Sequence, residues 1–167
     1  MDALPLALHP PDPAIAIRPA KLDDLEALMD CCWTDRRRDV GLWLLERAIR
    51  NRRDGRGAGV VVLGSAAQPI GYGQLTLWPR CAEISDLVIA PPYRDQGYGT
   101  ALVQHLMAEA VRLKASCVEI GAAVSNPRAT ALYHRLGFVD NRTIQMNLGG
   151  PSREPVVYMT IQLPTDG

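Results

Sequence analysis

The stretch Asp86-Leu87-Val88-Ile89-Ala90-Pro91-Pro92-Tyr93-Arg94-Asp95-Gln96-Gly97-Tyr98-Gly99-Thr100 decides how this chain folds. Its first residues complete a strand running from Cys81 to Ala90, and Pro91-Pro92 stops it. Beyond Gly99 the period becomes helical: Leu102, Val103, Leu106, Met107, Ala110 and Leu113 form one apolar stripe. Between strand and helix, Gly97 and Gly99 let the backbone approach a ligand, and the helix start offers unpaired N–H groups to an anion. Arg94 and the Thr100 hydroxyl add donors, so the loop is a phosphate cradle in physical terms. It is not a nucleotide-triphosphate loop, because no Gly-Lys-Ser/Thr is present. Nor is it a dinucleotide fingerprint, since Leu102 stands where the third glycine belongs.

Reading outward from this loop gives the other elements. Upstream, Gly59 to Leu63, Ile70 to Trp78 and Cys81 to Ala90 are strands joined by short turns, which predicts an antiparallel meander. Before them come a helix with Leu22, Leu25, Leu28 and Met29 at helical spacing and a second over about 36–52 with Leu42, Leu45 and Ile49 on one face. Ala14 to Arg18 alternates as a strand does, and the proline-rich residues 1–13 are expected to form a flexible tail. Downstream follow a strand from Cys117 to Val124, a helix from Pro127 to Leu136 closed by Gly137, and strands over 138–148 and 156–163. The order βααβββαβαββ predicts a mixed α/β fold and a single domain over 14–163. The crossover from about 81 to 124 is long enough to be parallel. Ligands of such sheets lie beyond the carboxyl ends of the strands, which points to residues 89–100 and 124–128.

Composition narrows the function. The 167 residues include 18 Lys plus Arg and 18 Asp plus Glu, so the chain lacks the basic excess of a dedicated nucleic-acid binder. No apolar run reaches the roughly 18 residues that span a bilayer, and prolines interrupt any signal-peptide core near the start, so a cytoplasmic protein is expected. Cys31 and Cys32 are adjacent and Cys81 and Cys117 isolated, with no metal-ligand spacing; the latter two are expected to be buried free thiols.

Arg94-x-x-Gly97-x-Gly99 resembles the Arg/Gln-x-x-Gly-x-Gly/Ala signature of the GCN5-related N-acetyltransferases (GNAT). Asp86 to Pro91 precedes it and an amphipathic helix follows it, as in that family. A second block, Asn126-Pro127-Arg128-Ala129-Thr130-Ala131-Leu132-Tyr133 through Leu136-Gly137-Phe138, resembles the family's downstream motif, and the element order agrees from about 14 to 163. The resemblance implies a GNAT-like, mostly antiparallel sheet flanked by helices and an acetyl-CoA site. Backbone groups of Leu87, Val88 and Ile89 would hold the pantetheine arm, and the amides of Gln96, Gly97, Tyr98, Gly99 and Thr100, with Arg94, the pyrophosphate. Asp95 is electrostatically out of place there and is expected to face solvent.

Asn126 is placed to cap a helix that Pro127 opens. Asn126 and Tyr133, two turns apart, face one way, so the amide can meet the pantetheine and the phenol the sulfur. Acyl transfer to an amine needs a base, an oxyanion donor and an acid. By resemblance these are Glu83, the Val88 N–H and Tyr133, with Asp86 or a water chain as alternative bases. Alternation along the strand puts Glu83, Ser85, Leu87 and Ile89 on one face and Asp86 with Val88 on the other, unless a bulge intervenes. No Cys–His pairing suggests an acyl-enzyme, so direct transfer in a ternary complex is expected.

The acceptor is less legible. Residues 34–56 carry eight Arg against four acids, which leaves ten basic against fourteen acidic residues elsewhere. That segment reads either as a groove for an acceptor bearing a carboxylate or phosphate, or as a solvated helix face. Trp33, Trp43 and Trp78 read as core residues that also suit a pocket wall. The partners implied are acetyl-CoA and a small amine or peptide, with no nucleic acid, membrane or metal, in a monomer or a homodimer. The rival functions are a catalytically silent acyl-CoA sensor or scaffold, and a nucleic-acid or partner-binding domain built on the arginine helix, which zero net charge disfavours.

Overall fold

In a computed structural model that describes residues 3–164, seven strands form one mixed sheet. The elements are β1 (Ile17–Pro19), α1 (Leu25–Cys31), α2 (Arg38–Arg53), β2 (Gly57–Leu63), β3 (Pro69–Leu77), β4 (Ala82–Ile89), α3 (Tyr98–Arg112), β5 (Cys117–Ala123), α4 (Pro127–Leu136), β6 (Val139–Met146) and β7 (Glu154–Gln162). Strand order is β1-β2-β3-β4-β5-β7-β6, with β4 and β5 the one parallel pair. The expected meander and parallel crossover are both present.

Helices cover both faces. On one side Val60, Val62, Leu75, Ile84 and Ile120 of the sheet meet Leu102, Leu106 and Met107 of α3 and Tyr133 and Leu136 of α4. On the other, Val61 and Tyr72 meet Leu25, Leu28, Trp33, Leu44 and Leu45. The buried face of α2 is Gly41, Leu44, Leu45 and Ala48, rotated from the expected Leu42–Leu45–Ile49 stripe; Ile49 is exposed. Part of the stretch read as a flexible tail, whose residues 1 and 2 lie outside the described residues, is packed: a 3-10 turn at Leu6–Leu8 lies on α3, Ala7 is fully buried, and Gln104 Nε2 donates to the Leu6 carbonyl at 3.0 Å. Ala7 joins the core cluster of α3 and α4, so this turn covers apolar surface of those helices.

The cysteine expectation needs correction. Cys81 and Cys117 stand side by side at the starts of β4 and β5, half-buried, with Cα atoms 4.9 Å apart, and are joined as a disulfide. The parallel register that pairs Ala82 with Val118 brings them together, a juxtaposition spacing alone does not reveal. Cysteine usage therefore no longer supports a cytoplasmic location. No described helix is long and apolar enough to cross a membrane.

Arg18 at β1 anchors the entry to α1. Its guanidinium donates two 2.8 Å bonds to the buried Asp24 carboxylate, which also accepts the Lys21 N–H at 2.8 Å. Burial alone would raise the Asp24 pKa, but these donors hold it below the ordinary carboxylate range. The stabilisation is therefore present at neutral pH and is lost as pH falls through the native pKa. Asp24→Asn should lower unfolding stability by about 2 kcal/mol at neutral pH. Urea titrations of both proteins should show that gap narrowing below roughly pH 4.

Candidate active site

The sheet splits at its centre. β4 and β5 pair only from Ala82–Ile84 to Val118–Ile120, after which β5 continues with β7 while β4 keeps only β3. Residues Ser85–Ile89 thus have one edge without a strand partner. At the same point β4 bulges: Tyr72 faces Val88 and Gln74 faces Ser85, so Asp86 and Leu87 together oppose Gly73. Asp86 sits at φ 56°, the left-handed region that Asp tolerates better than most residues. Glycine at 73 makes room for the bulge, since a Cβ there would stand 2.6 Å from Leu87 Cδ2.

The bulge overturns the alternation expected along β4. Ile84, Leu87 and Ile89 face α3, whereas Val88 packs with Tyr72 toward α1 and α2. Glu83 and Ser85, opposite Thr76 and Gln74, share the face of Tyr72 and Val88. Asp86, on the same side, lies 3.9 Å from Arg36. The backbone is re-aimed too. Ala90 N–H bonds the Ile70 carbonyl at 2.8 Å, so Ile70–Ala90 and Tyr72–Val88 are the hydrogen-bonded pairs of the ladder. The Val88 N–H is therefore committed to β3 and does not serve as an oxyanion donor; Leu87 and Ile89 present their groups to the open edge.

A cleft of about 690 Å³ runs along that edge between β4, α3 and α4. It brings together Leu87, Val88, Ile89, Arg94, Gly97, Gly99, Thr100, Asn126 and Tyr133 from the expected set. Gly97 caps α3 at φ 89° without a side-chain cap. The first bond of the helix runs from Ala101 N–H to the Gly97 carbonyl, which leaves the Tyr98, Gly99 and Thr100 amides without a carbonyl partner among the described residues. A Cβ on Gly99 would find only Leu132, at 3.6 Å.

Three expected residues stay out of the cleft, Glu83 of β4 and the two that flank Gly97. Gln96 turns back to the Pro92 carbonyl at 3.0 Å, and the Tyr98 ring packs edge-on against Tyr93 with centroids 6.1 Å apart. Arg94 lines the cleft, but its Nε holds the Ile89 carbonyl at 3.0 Å. Asp95 is exposed and ion-paired with Arg128 of α4, which holds its carboxyl below the ordinary range. Arg128 and Arg135 both line the cleft and were missed. They stand seven residues apart on α4, the same spacing that singled out Asn126 and Tyr133.

Asn126 caps α4 as expected, its Oδ1 accepting the Ala129 N–H at 3.2 Å. Tyr133 is buried, with its ring against Phe138. Its hydroxyl has no hydrogen-bond partner among the described residues, and burial pushes its pKa up to about 12. The phenol thus stays protonated far above neutral pH.

A second cavity, of about 390 Å³, lies toward α1 and α2 and is lined by Cys32, Trp33, Thr34, Asp35, Arg36, Asp86, Leu87 and Val88. Leu87 and Val88 line both cavities, so the two meet at the bulge. Glu83 lies outside both, accepting a 3.4 Å contact from Trp78 Nε1 beside Glu119 of β5. Trp78 and Trp43 are about half exposed, and of the three tryptophans only Trp33 is buried. Burial also raises the pKa of Cys32, which keeps it a thiol and a poor nucleophile.

A mixed, mostly antiparallel sheet split at β4 and flanked by helices is the GNAT-like fold that the sequence predicts. The chain belongs to the acetyltransferase (GNAT) family, whose model matches residues 22–138. It is 35% identical over 84 residues to the ribosomal protein bS18-alanine N-acetyltransferase of Escherichia coli, across 49% of this chain and 56% of that one. The matched stretch spans about half or less of the length of the curated relatives. Among solved structures, yncA of Salmonella typhimurium, determined with its cofactor acetyl-CoA, has a TM-score of 0.73 at 22% identity over 92% of this chain and 96% of that one. A spermidine/spermine N-acetyltransferase of Vibrio cholerae, determined with manganese ions, has a TM-score of 0.69 at 22% identity over 89% and 92%. At that identity the structures show the shared fold.

Gly97→Ala places a Cβ in the left-handed region and should lower stability by about 1 kcal/mol. Open space around the site allows the protein to fold, so denaturant titration will show the loss as a shifted midpoint with an unchanged slope.

Proposed function

We propose that the protein is an acetyl-CoA-dependent N-acetyltransferase that moves an acetyl group directly to a primary amine of a small molecule or peptide. One observation carries this reading: the open edge of β4 at Leu87–Ile89 is where the two cavities meet. The cleft fits the donor. The free amides of Tyr98, Gly99 and Thr100, with the Arg94, Arg128 and Arg135 guanidiniums, suit a diphosphate. The unpaired edge of β4 takes an amide-bearing arm as an added strand. Tyr133, farther in, meets the sulfur.

Acetyl-CoA supplies the thioester, and the chain supplies its surroundings. Asp86 takes the proton that the amine must lose, because it lines the acceptor cavity whereas Glu83 does not. The amine lone pair forms the new C–N bond while the Leu87 N–H, in place of the expected Val88 N–H, holds the carbonyl oxygen as it gains charge. Tyr133 gives its proton to the sulfur as the C–S bond breaks. The products are the acetylated amine and the CoA thiol, and solvent carries the proton from Asp86 back to Tyr133.

Saturating acetyl-CoA should raise Tm, and an amine panel should release CoA thiol; no shift would overturn the reading, and a shift without release from any amine would make the protein a silent acyl-CoA binder. Tyr133→Phe should lower kcat at least about 100-fold at neutral pH. Because burial raises the phenol pKa to about 12, the wild-type pH profile should show no fall through pH 10 from loss of this proton. A Tyr133→Phe enzyme with unchanged kcat would remove Tyr133 from the mechanism.

A further inference from the structure

Of the eight arginines in the arginine-rich segment, four make surface contacts and one lines a cavity. Arg37, Arg38 and Arg53 are exposed and paired with Asp39, Glu26 and Asp54, and Arg47 lies over the exposed Trp43 ring. Arg36 alone of the segment's arginines lines the acceptor cavity. Its guanidinium sits 5.4 Å above the Trp33 ring, and Trp33 is itself fixed edge-on against Tyr72 at 5.0 Å. Tyr72 is held in turn by a 2.7 Å hydrogen bond to Gln74. The guanidinium is thus held in place from below, yet it makes no hydrogen bond to any described residue. Nη2 approaches Asp86 only to 3.9 Å, beyond hydrogen-bond range, and Nη1 is buried without a partner. The side chain as a whole is 32% exposed and lines the cavity, so the guanidinium is open there to an acceptor that a ligand brings.

Resting on the acetyl-transfer reading above, we propose that Arg36 binds a carboxylate of the acceptor, so that the substrate class is free α-amino acids. The cavity offers one cation, Arg36, and two carboxylates, Asp86 at the bulge and Asp35 at the rim. Asp86 faces the amine, and Arg36 beside it takes a carboxylate only a carbon or two away. A guanidinium that makes no hydrogen bond of its own can give charge-assisted bonds to a carboxylate. At about 390 Å³ the cavity lies near the lower end for small-molecule sites and suits a compact zwitterion better than an extended polycation.

The test compares each standard amino acid with its decarboxylated amine, alongside spermidine and a peptide N-terminus. It uses kcat/KM by thiol release and, independently of turnover, calorimetric binding to the protein saturated with CoA. Wild type should favour at least one amino acid over its decarboxylated partner by about ten- to hundredfold, in both readouts. Arg36→Gln should bring that ratio close to one, and Arg36→Lys, which keeps the charge but loses the planar fork, should fall between. The Tm rise with acetyl-CoA reports that each variant is folded. A ratio unchanged in Arg36→Gln, a wild-type preference for the decarboxylated amines, spermidine or the peptide, or no amino acid bound would overturn the proposal. Binding that depends on Arg36 without acetylation of any amine would instead overturn the transfer reading and leave the carboxylate site standing.

Discussion

After Ile84 the central strand loses one neighbour, and the site follows from that loss. β4 is held to β3 along its length, but β5 stays with it for only three residues before pairing on with β7. An unpaired strand edge in a protein interior carries donors and acceptors that require partners. Here they face a cleft closed by α3 and α4, so an extended ligand can complete the sheet. The bulge at Asp86–Leu87 falls at the same place and turns the strand enough to serve two sides at once. Leu87 looks toward α3, Val88 toward α1 and α2, and the two cavities share that pair of residues.

The charges are arranged around this split. At the outer mouth Arg94, Arg128 and Arg135 stand near the free amides that open α3, and the one misplaced carboxylate, Asp95, is neutralised by Arg128. The same cleft holds the Tyr133 hydroxyl, which burial keeps protonated. Behind the bulge the polarity changes again, with Asp86 and Arg36 close together but not hydrogen-bonded. A donor that is anionic at one end and a neutral thioester at the other matches the first gradient, and an acceptor carrying both signs matches the second.

Most of the fold was legible because its signals are local. The stripe of α3, the Asn126–Pro127 start and Gly137 end of α4, and the strand period of the meander each depend on neighbours in sequence. The glycine turn that opens α3 was legible for the same reason. What escaped depends on register between distant strands. The position of Cys81 beside Cys117 follows from a parallel pairing that spacing does not encode. The Val88 N–H was named for the oxyanion by resemblance, and the register at the bulge turns that N–H to β3 and the Leu87 N–H to the open edge. Alternation likewise separated Glu83 from Val88, which the bulge returns to one face. Arg36 lay hidden among eight arginines of one composition, and only burial and the cavity distinguish it from Arg37 and Arg38. The N-terminal residues looked like a tail because prolines suppress periodicity, yet Ala7 fits the surface of α3.

The central claim is that the donor completes β4 through the alternate residues Leu87 and Ile89. Residue-resolved amide hydrogen exchange, with and without saturating acetyl-CoA, tests it most directly. The Leu87 and Ile89 amides should exchange readily in the free protein and become protected on binding, while Val88, already bonded to Tyr72, should be protected in both states. Protection gained at Val88 with none at Leu87 and Ile89, or no change along β4 while acetyl-CoA is bound, would contradict it.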